Sequence, residues 1–295
     1  MNLGKAIVEL YKKTAISIPA DVESSLKNSL KREKKSSLAY YTISNILKNI
    51  EVARDGSLPV CQDTGVPMFY VKVPVGVSHP RIRQSIVNAT RKATKSIPLR
   101  PNAVNVLEER NTGDNIGFDK GKSEVQQPII YIEQWGKSSI KIELMLKGGG
   151  SENIGTQYKL PDKKLKANRD LEGIKKCIID AVFKAQGKGC SPYILGVAIG
   201  GSKDLVSMES KKQLLRKIDD VNEDEKLAKL EKWLKVKINS LGIGPLGLGG
   251  KVTVLGVKMK ALHRHPASFF VDVSFMCWAC RRGTLIYNRG DIKLS

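Results

Sequence analysis

The pentapeptide Cys61-Gln62-Asp63-Thr64-Gly65 sets a thiol close to a carboxylate, just after a turn marked by Gly56 and Pro59. A thiol and an acid at the mouth of a strand can bind a metal and move a proton. The same five residues also fit a buried small side chain beside an Asx-turn. Four more cysteines follow at Cys177, Cys190, Cys277 and Cys280. An odd count, widely spaced in 295 residues, points away from a disulfide framework and toward metal or reactive-thiol chemistry. Cys277-Trp278-Ala279-Cys280 is one C-x-x-C with no second pair to answer it, which excludes a compact zinc ribbon. Three separated thiolates, Cys61, Cys190 and Cys277, suit a [4Fe–4S] cluster with one iron left open. An open iron is a Lewis acid that can polarise a substrate hydroxyl. Cys177, flanked by Ile178 and Ile179, is expected in the core.

The elements that must position these groups are legible in outline. Leu3, Ile7 and Leu10 recur at helical spacing, and Ile18-Pro19-Ala20-Asp21 offers a break followed by a cap. A second helix is expected through Ser25-Leu26 and the basic run 31–35, and a third over 38–52. Val66 to Val73 alternates and is rich in β-branched and aromatic residues, which predicts a strand. A helix is expected over 80–96, strands over 129–134 and 139–146, and a helix over 172–188 leaving at Gly187 and Gly189. Further strands are expected over 193–199, 252–259 and 268–276. Two charged helices fill 204–239, broken near 221–224. Three glycine clusters punctuate this order, at 148–150, 200–201 and 242–250. Each reads as a tight turn or as a place where backbone N–H groups approach an anion. Neither a Walker A pattern nor a G-x-G-x-x-G unit is present.

Hydrophobic residues make up 41% of the chain, ordinary for a globular protein with a real core. No apolar run reaches the ~18 residues of a membrane helix, and the N-terminus lacks a leader's apolar stretch. A cytoplasmic protein is expected. The net charge of +21 suggests nucleic acid, an acidic partner chain or a dianionic substrate. The basic residues are spread along the whole sequence without interleaved aromatics, which weakens the first.

The ordered set of 61–65, 100–104, 147–153, 189–192, 196–202, 241–250, 263–268 and 276–279 resembles the iron–sulfur class I fumarases and L-tartrate dehydratases. The likeness is to their N-terminal domain, a separate α-subunit in two-chain members. It implies one such domain over 1–295, with a mixed α/β fold, N-terminal helices packed on sheet elements and an active site on glycine-rich loops. It implies Cys61, Cys190 and Cys277 as cluster ligands, with Cys280 the rival of Cys277. Gln62, Arg100, Gly148, Gly149 and Gly150 would bind substrate, Arg100 by bidentate pairing with a carboxylate. Asp63 and His265 would be the acid–base pair, His263 an orienting neighbour.

The activity implied is reversible hydration of fumarate to malate, with tartrate dehydration to oxaloacetate the close rival. The partners implied are a β-subunit, a small dicarboxylate and an α2β2 assembly. A basic zinc- or nucleic-acid-binding protein is the alternative from another class. It explains the charge but not the glycine clusters or the set Asp63, Arg100 and His265.

Overall fold

Residues 2–118 and 125–295 are described by the computed structural model. In chain order the helices are α1 (Leu3–Ile16), α2 (Ala20–Leu30), α3 (Leu38–Asp55), α4 (His79–Ser96), α5 (Gly149–Asn153), α6 (Leu171–Ala185), α7 (Lys203–Gln213) and α8 (Glu225–Asn239). The strands are β1 (Val66–Pro74), β2 (Val104–Asn105), β3 (Arg110–Asn111), β4 (Gly117–Phe118), β5 (Val125–Gln127), β6 (Ile129–Trp135), β7 (Ile140–Lys147), β8 (Thr156–Lys159), β9 (Tyr193–Ile199), β10 (Val254–Ala261), β11 (Phe270–Met276), β12 (Arg282–Asn288) and β13 (Asp291–Leu294). The chain divides into two compact units, one of residues 1–19, 49–149 and 281–295, the other of 20–48 and 150–280.

The first unit is a five-stranded sheet in the order β13-β12-β7-β1-β6, parallel only between β1 and β6. Helices α1 and α4 pack together, and α1 lies on β7 and β12. Asn2 caps α1 by accepting the Lys5 N–H, which satisfies one of the donors a helix start leaves open. Ala6, Ile7, Leu10 and Tyr11 then fall on one face and enter a core with Phe69, Ile86, Ile142, Leu144 and Leu285. Each fully buried aliphatic chain there contributes about 1.5–3 kcal/mol. The Tyr11 hydroxyl meets Thr90 Oγ1 at 2.7 Å, a polar tie between α1 and α4 inside that core.

The second unit is a four-stranded sheet in the order β10-β9-β11-β8. Leu195, Val197 and Ile199 of β9 point into a core built with α6 and α8. Ala198, on the other face, packs with Val206 of α7 and with Phe270. With helices over both faces every residue of β9 is buried, which is why Tyr193 to Ile199 reads as a continuous apolar run.

The mixed α/β fold agrees with expectation, and the strand over 66–73 and the helix over 80–96 lie where they were predicted. Helix α2 does not continue through 31–35. After Leu30 the chain unwinds through Arg32 N–H to Ser29 O and Glu33 N–H to Leu30 O. Glu33, only 8% exposed, accepts the Lys251 N–H. The charge run therefore holds an anchor that a helical continuation would lose. Helix α6 stops three residues short of Lys188, at a Gln186 with φ +47. The break between α7 and α8 is wider than expected, because residues 214–224 carry Arg216 and Asp220 into a network with Glu231 and Lys258. Strands β12 and β13, in a tail with no clear pattern, were not anticipated. Among the described residues no helix is long and apolar enough to cross a membrane.

Candidate functional site

In the first unit three strand ends meet. Strand β1 runs antiparallel to β7 with Val66 opposite Lys147, and β12 pairs β7 with Arg282 opposite Met145. Antiparallel pairing sets the start of one strand beside the end of its neighbour, so residues 61–65, Gly148–Gly149 and Arg281 converge. Asp63 joins them. Its Oδ1 accepts the Gly65 N–H at 3.0 Å and its Oδ2 the Gly149 N–H at 2.7 Å. Gly65 has φ +83, and a Cβ there would stand 2.7 Å from the Leu146 carbonyl carbon, so only glycine fits this close approach.

Thr64 and two asparagines extend the same group. The Arg100 N–H donates to Thr64 Oγ1 at 3.0 Å, and Asn102 Nδ2 donates to the Gly65 carbonyl at 3.1 Å. Asn115, 2% exposed, donates to the Arg100 carbonyl and accepts the Asn102 N–H. The Arg100 backbone is thus pinned to the Cys61 segment while the residue stays exposed. Cys61 is half-buried and Gln62 exposed. The positioning by Asn115 is not legible in the sequence, since burial of an asparagine leaves no local signal.

In the second unit β9 starts where antiparallel β11 ends, with Ile194 opposite Met276. Cys190 and Cys277 therefore emerge at one end of that sheet, and the Trp278 N–H donates to the Cys190 carbonyl at 3.2 Å. The glycine-rich segment 241–250 buttresses Cys190. Ser191 Oγ donates to the Gly244 carbonyl at 2.7 Å, and the Leu246 N–H to the Ser191 carbonyl at 2.9 Å. A Cβ at Gly187 would lie 2.3 Å from the Leu246 carbonyl oxygen. This cluster's glycines serve close backbone packing behind a thiol. Gly150, exposed, adjoins the same loop through Lys188.

The five thiols divide by exposure. Cys190 is exposed and Cys61 and Cys277 are half-buried, whereas Cys177 and Cys280 are buried. Burial pushes the Cys177 thiol up to about 12, so it stays protonated and inert. Within neither unit do three His, Cys, Asp or Glu side chains gather as a ready metal site among the described residues.

His265 is not brought to Cys190 and Cys277. It sits between the end of β10 and the start of β11, at the opposite end of the sheet, roughly 20 Å away by strand length. Arg264 donates to the carbonyls of His265, Pro266 and Ser268, and Arg169 to that of Ala267. These bonds stiffen the turn and leave His265 exposed. Its Nδ1 accepts the Ala267 N–H at 3.1 Å, an arrangement in which the ring proton lies on Nε2.

A mixed α/β chain with paired cysteine loops, an arginine pinned beside a Cys-x-Asp segment and a Gly-Gly-Gly helix start belongs to a defined class. The sequence profile of the fumarate hydratase (Fumerase) family matches residues 4–286, and the chain belongs to that family. It is 43% identical over 284 residues to a Geobacillus stearothermophilus protein whose name gives fumarate hydratase class I, covering 95% of this chain and 54% of that one. The chain thus spans about half the length of that relative. It is 37% identical to a Methanocaldococcus jannaschii protein whose name gives L(+)-tartrate dehydratase subunit alpha, over 96% of both chains. The L(+)-tartrate dehydratase subunit alpha of Escherichia coli K12 is also 37% identical, over 91% of this chain and 85% of its own.

Proposed function

We propose that this chain is the α-type subunit of a hydro-lyase that reversibly hydrates fumarate to malate, using a [4Fe–4S] cluster and completed by a separate β-type chain. The observation that carries this reading is the partition of the thiols in a chain of this family. Cys61, Cys190 and Cys277 reach the surface from loops, while Cys177 and the rival Cys280 are shut in. That donor set fits a cluster with three thiolate ligands and one open iron. When bound, the cluster would supply a Lewis acid for the substrate hydroxyl.

Hydration adds hydroxyl to one alkene carbon and a proton to the other, so the chain must hold a dianion in one orientation. Arg100 would take one carboxylate by a bidentate pair, its backbone held by Thr64 and Asn115. Gln62, exposed next to Cys61, would hydrogen-bond the substrate. The backbone of Gly148, Gly149 and Gly150 would cradle the substrate beside Asp63, whose Oδ2 accepts the Gly149 N–H. The Nε2–H of His265 would manage the proton. Its place across the sheet from Cys190 means that, in this reading, it serves the site of a second copy, which agrees with an α2β2 assembly. A cytoplasmic setting belongs to the same reading, since it keeps the thiols reduced.

Tartrate dehydration to oxaloacetate is the second reading. It is favoured by the relatives that the chain spans almost end to end, which are named as tartrate dehydratase α-subunits. The substrates differ by one hydroxyl. The test is anaerobic purification with and without the β-type chain, followed by iron, sulfide and visible spectra and assays on fumarate, malate and tartrate. Iron–sulfur absorbance with turnover only in the presence of the partner is expected, and the preferred substrate separates the two readings. An iron-free, folded preparation that stays inactive with its partner would sink both.

A further inference from the structure

Arg281 has no task in the reading above, yet it is the largest fully buried side chain among the described residues, 1% exposed. Its Nη1 donates to the Asp63 carbonyl oxygen. Its Nη2 lies against Gly148, where a Cβ would stand 3.3 Å from Nη2 and 3.0 Å from Asp63 Oδ2. Its Nε has no hydrogen-bond partner. Its own carbonyl accepts the Leu146 N–H at 3.0 Å, which fixes the residue at the end of β7. A guanidinium cannot shed its proton, so folding accepts a permanent positive charge in this place. Such a charge is tolerated only beside compensating groups, and the Asp63 carboxylate flanks the same glycine.

We propose that Arg281 is a positioning residue. With Asp63 it forms a clamp that holds the Cys61–Gly65 segment to the Gly148–Gly149 turn, and Asp63 is the anchor of that clamp. The carboxylate is suited to this work because Oδ1 takes the Gly65 N–H of its own segment while Oδ2 takes the Gly149 N–H of the turn. Arg281 adds a third bond to the same residue from a third strand end. A clamp of this kind fixes where the Cys61 thiol points without touching substrate. The link to catalysis rests on the hydro-lyase reading, but the clamp itself does not.

The test is peptide-resolved amide exchange on the full chain, comparing wild type with Arg281→Met, Arg281→Lys and Asp63→Asn, and anaerobic iron loading of each. Arg281→Met is expected to speed exchange in 61–66 and 146–150 together by tenfold or more, with β6 unchanged, and to lower iron per chain. Arg281→Lys keeps the charge and is expected to restore most of both. Asp63→Asn should release the same two segments. If Arg281→Met does not fold, Asp63→Asn carries the test alone. Unchanged protection of 146–150 in a folded Asp63→Asn chain, or loosening of β6 to the same degree, overturns the clamp. Coupled release in a wild-type background that never binds iron would keep the clamp and discard the hydro-lyase reading. Iron-loaded, active wild type with uncoupled segments would do the reverse.

Discussion

The clearest chemistry lies in single residues and in how far each is shut away from water. A thiolate ligand must be reachable, and a thiol in an apolar core stays protonated because burial penalises the charged form. Cys177 meets that second condition and is expected to be silent. Cys280 is equally buried, which separates it from Cys277 although both belong to one C-x-x-C. Serine at Cys61, Cys190 or Cys277 should each reduce iron to a small fraction of wild type after anaerobic reconstitution. Serine at Cys280 should leave the iron content near wild type. Metal analysis on folded protein decides it, and loss of iron in the Cys280 variant with retention in the Cys277 variant would reverse the assignment. Cysteine types and order were legible in the sequence, but the choice between two thiols three residues apart was not. Exposure depends on long-range packing around residues 277–280, and spacing does not record that.

At the scale of elements, the strands and helices decide which loops can meet. Antiparallel pairing of β1 with β7 and of β9 with β11 brings together segments more than eighty residues apart in sequence. The same logic sends His265 to the opposite end of β11 from Cys277. Helix α7 packs on β9 through a glycine. A Cβ at Gly196 would come within 2.1 Å of the Ser210 carbonyl oxygen and 3.0 Å of Leu214. Gly196→Ala is therefore expected to push α7 off the sheet and to cost about 1–3 kcal/mol of stability. A urea titration measures it, and an unchanged midpoint would show that α7 relaxes freely. The strand over 193–199 was readable because both faces are covered and its residues are uniformly apolar. The end of α2 was not, because what stops it is a distant bond from Lys251 to Glu33.

For the whole molecule, stability should carry the mark of two carboxylates with opposite signs. Burial alone would raise the Asp220 carboxyl, but hydrogen bonds from Arg216 and Lys258 outweigh it and hold it below the usual range. Its contribution is then present above the ordinary carboxylate value of about 3.9 and is lost as pH falls through the lower folded value. Asp272 is raised by burial, which outweighs its bonds from Ser210 and Gln157. Its contribution is full below the ordinary value and declines as pH rises through the folded one. The difference in melting temperature between wild type and Asp220→Asn should shrink below about pH 4, while that for Asp272→Asn should shrink on going upward from there. Melts between pH 3 and 7 check both signs, and parallel curves for wild type and variant would refute the linkage.

The sequence by itself determined the ordered motifs, most helices and strands, the surplus of positive charge and the five thiols. These depend on local composition and on periods of two and 3.6 residues, which a single chain displays in full. The tertiary structure alone decided that Asp63 is held by two backbone N–H groups, that Arg281 is buried beside it, that Cys280 is closed off and that His265 stands across the sheet from Cys190. Each of these depends on which strand ends share an edge. Pairing order is a long-range choice that residues 61–65, 148–149 and 281 cannot express separately, because none of them is a neighbour of the others until the sheet has formed.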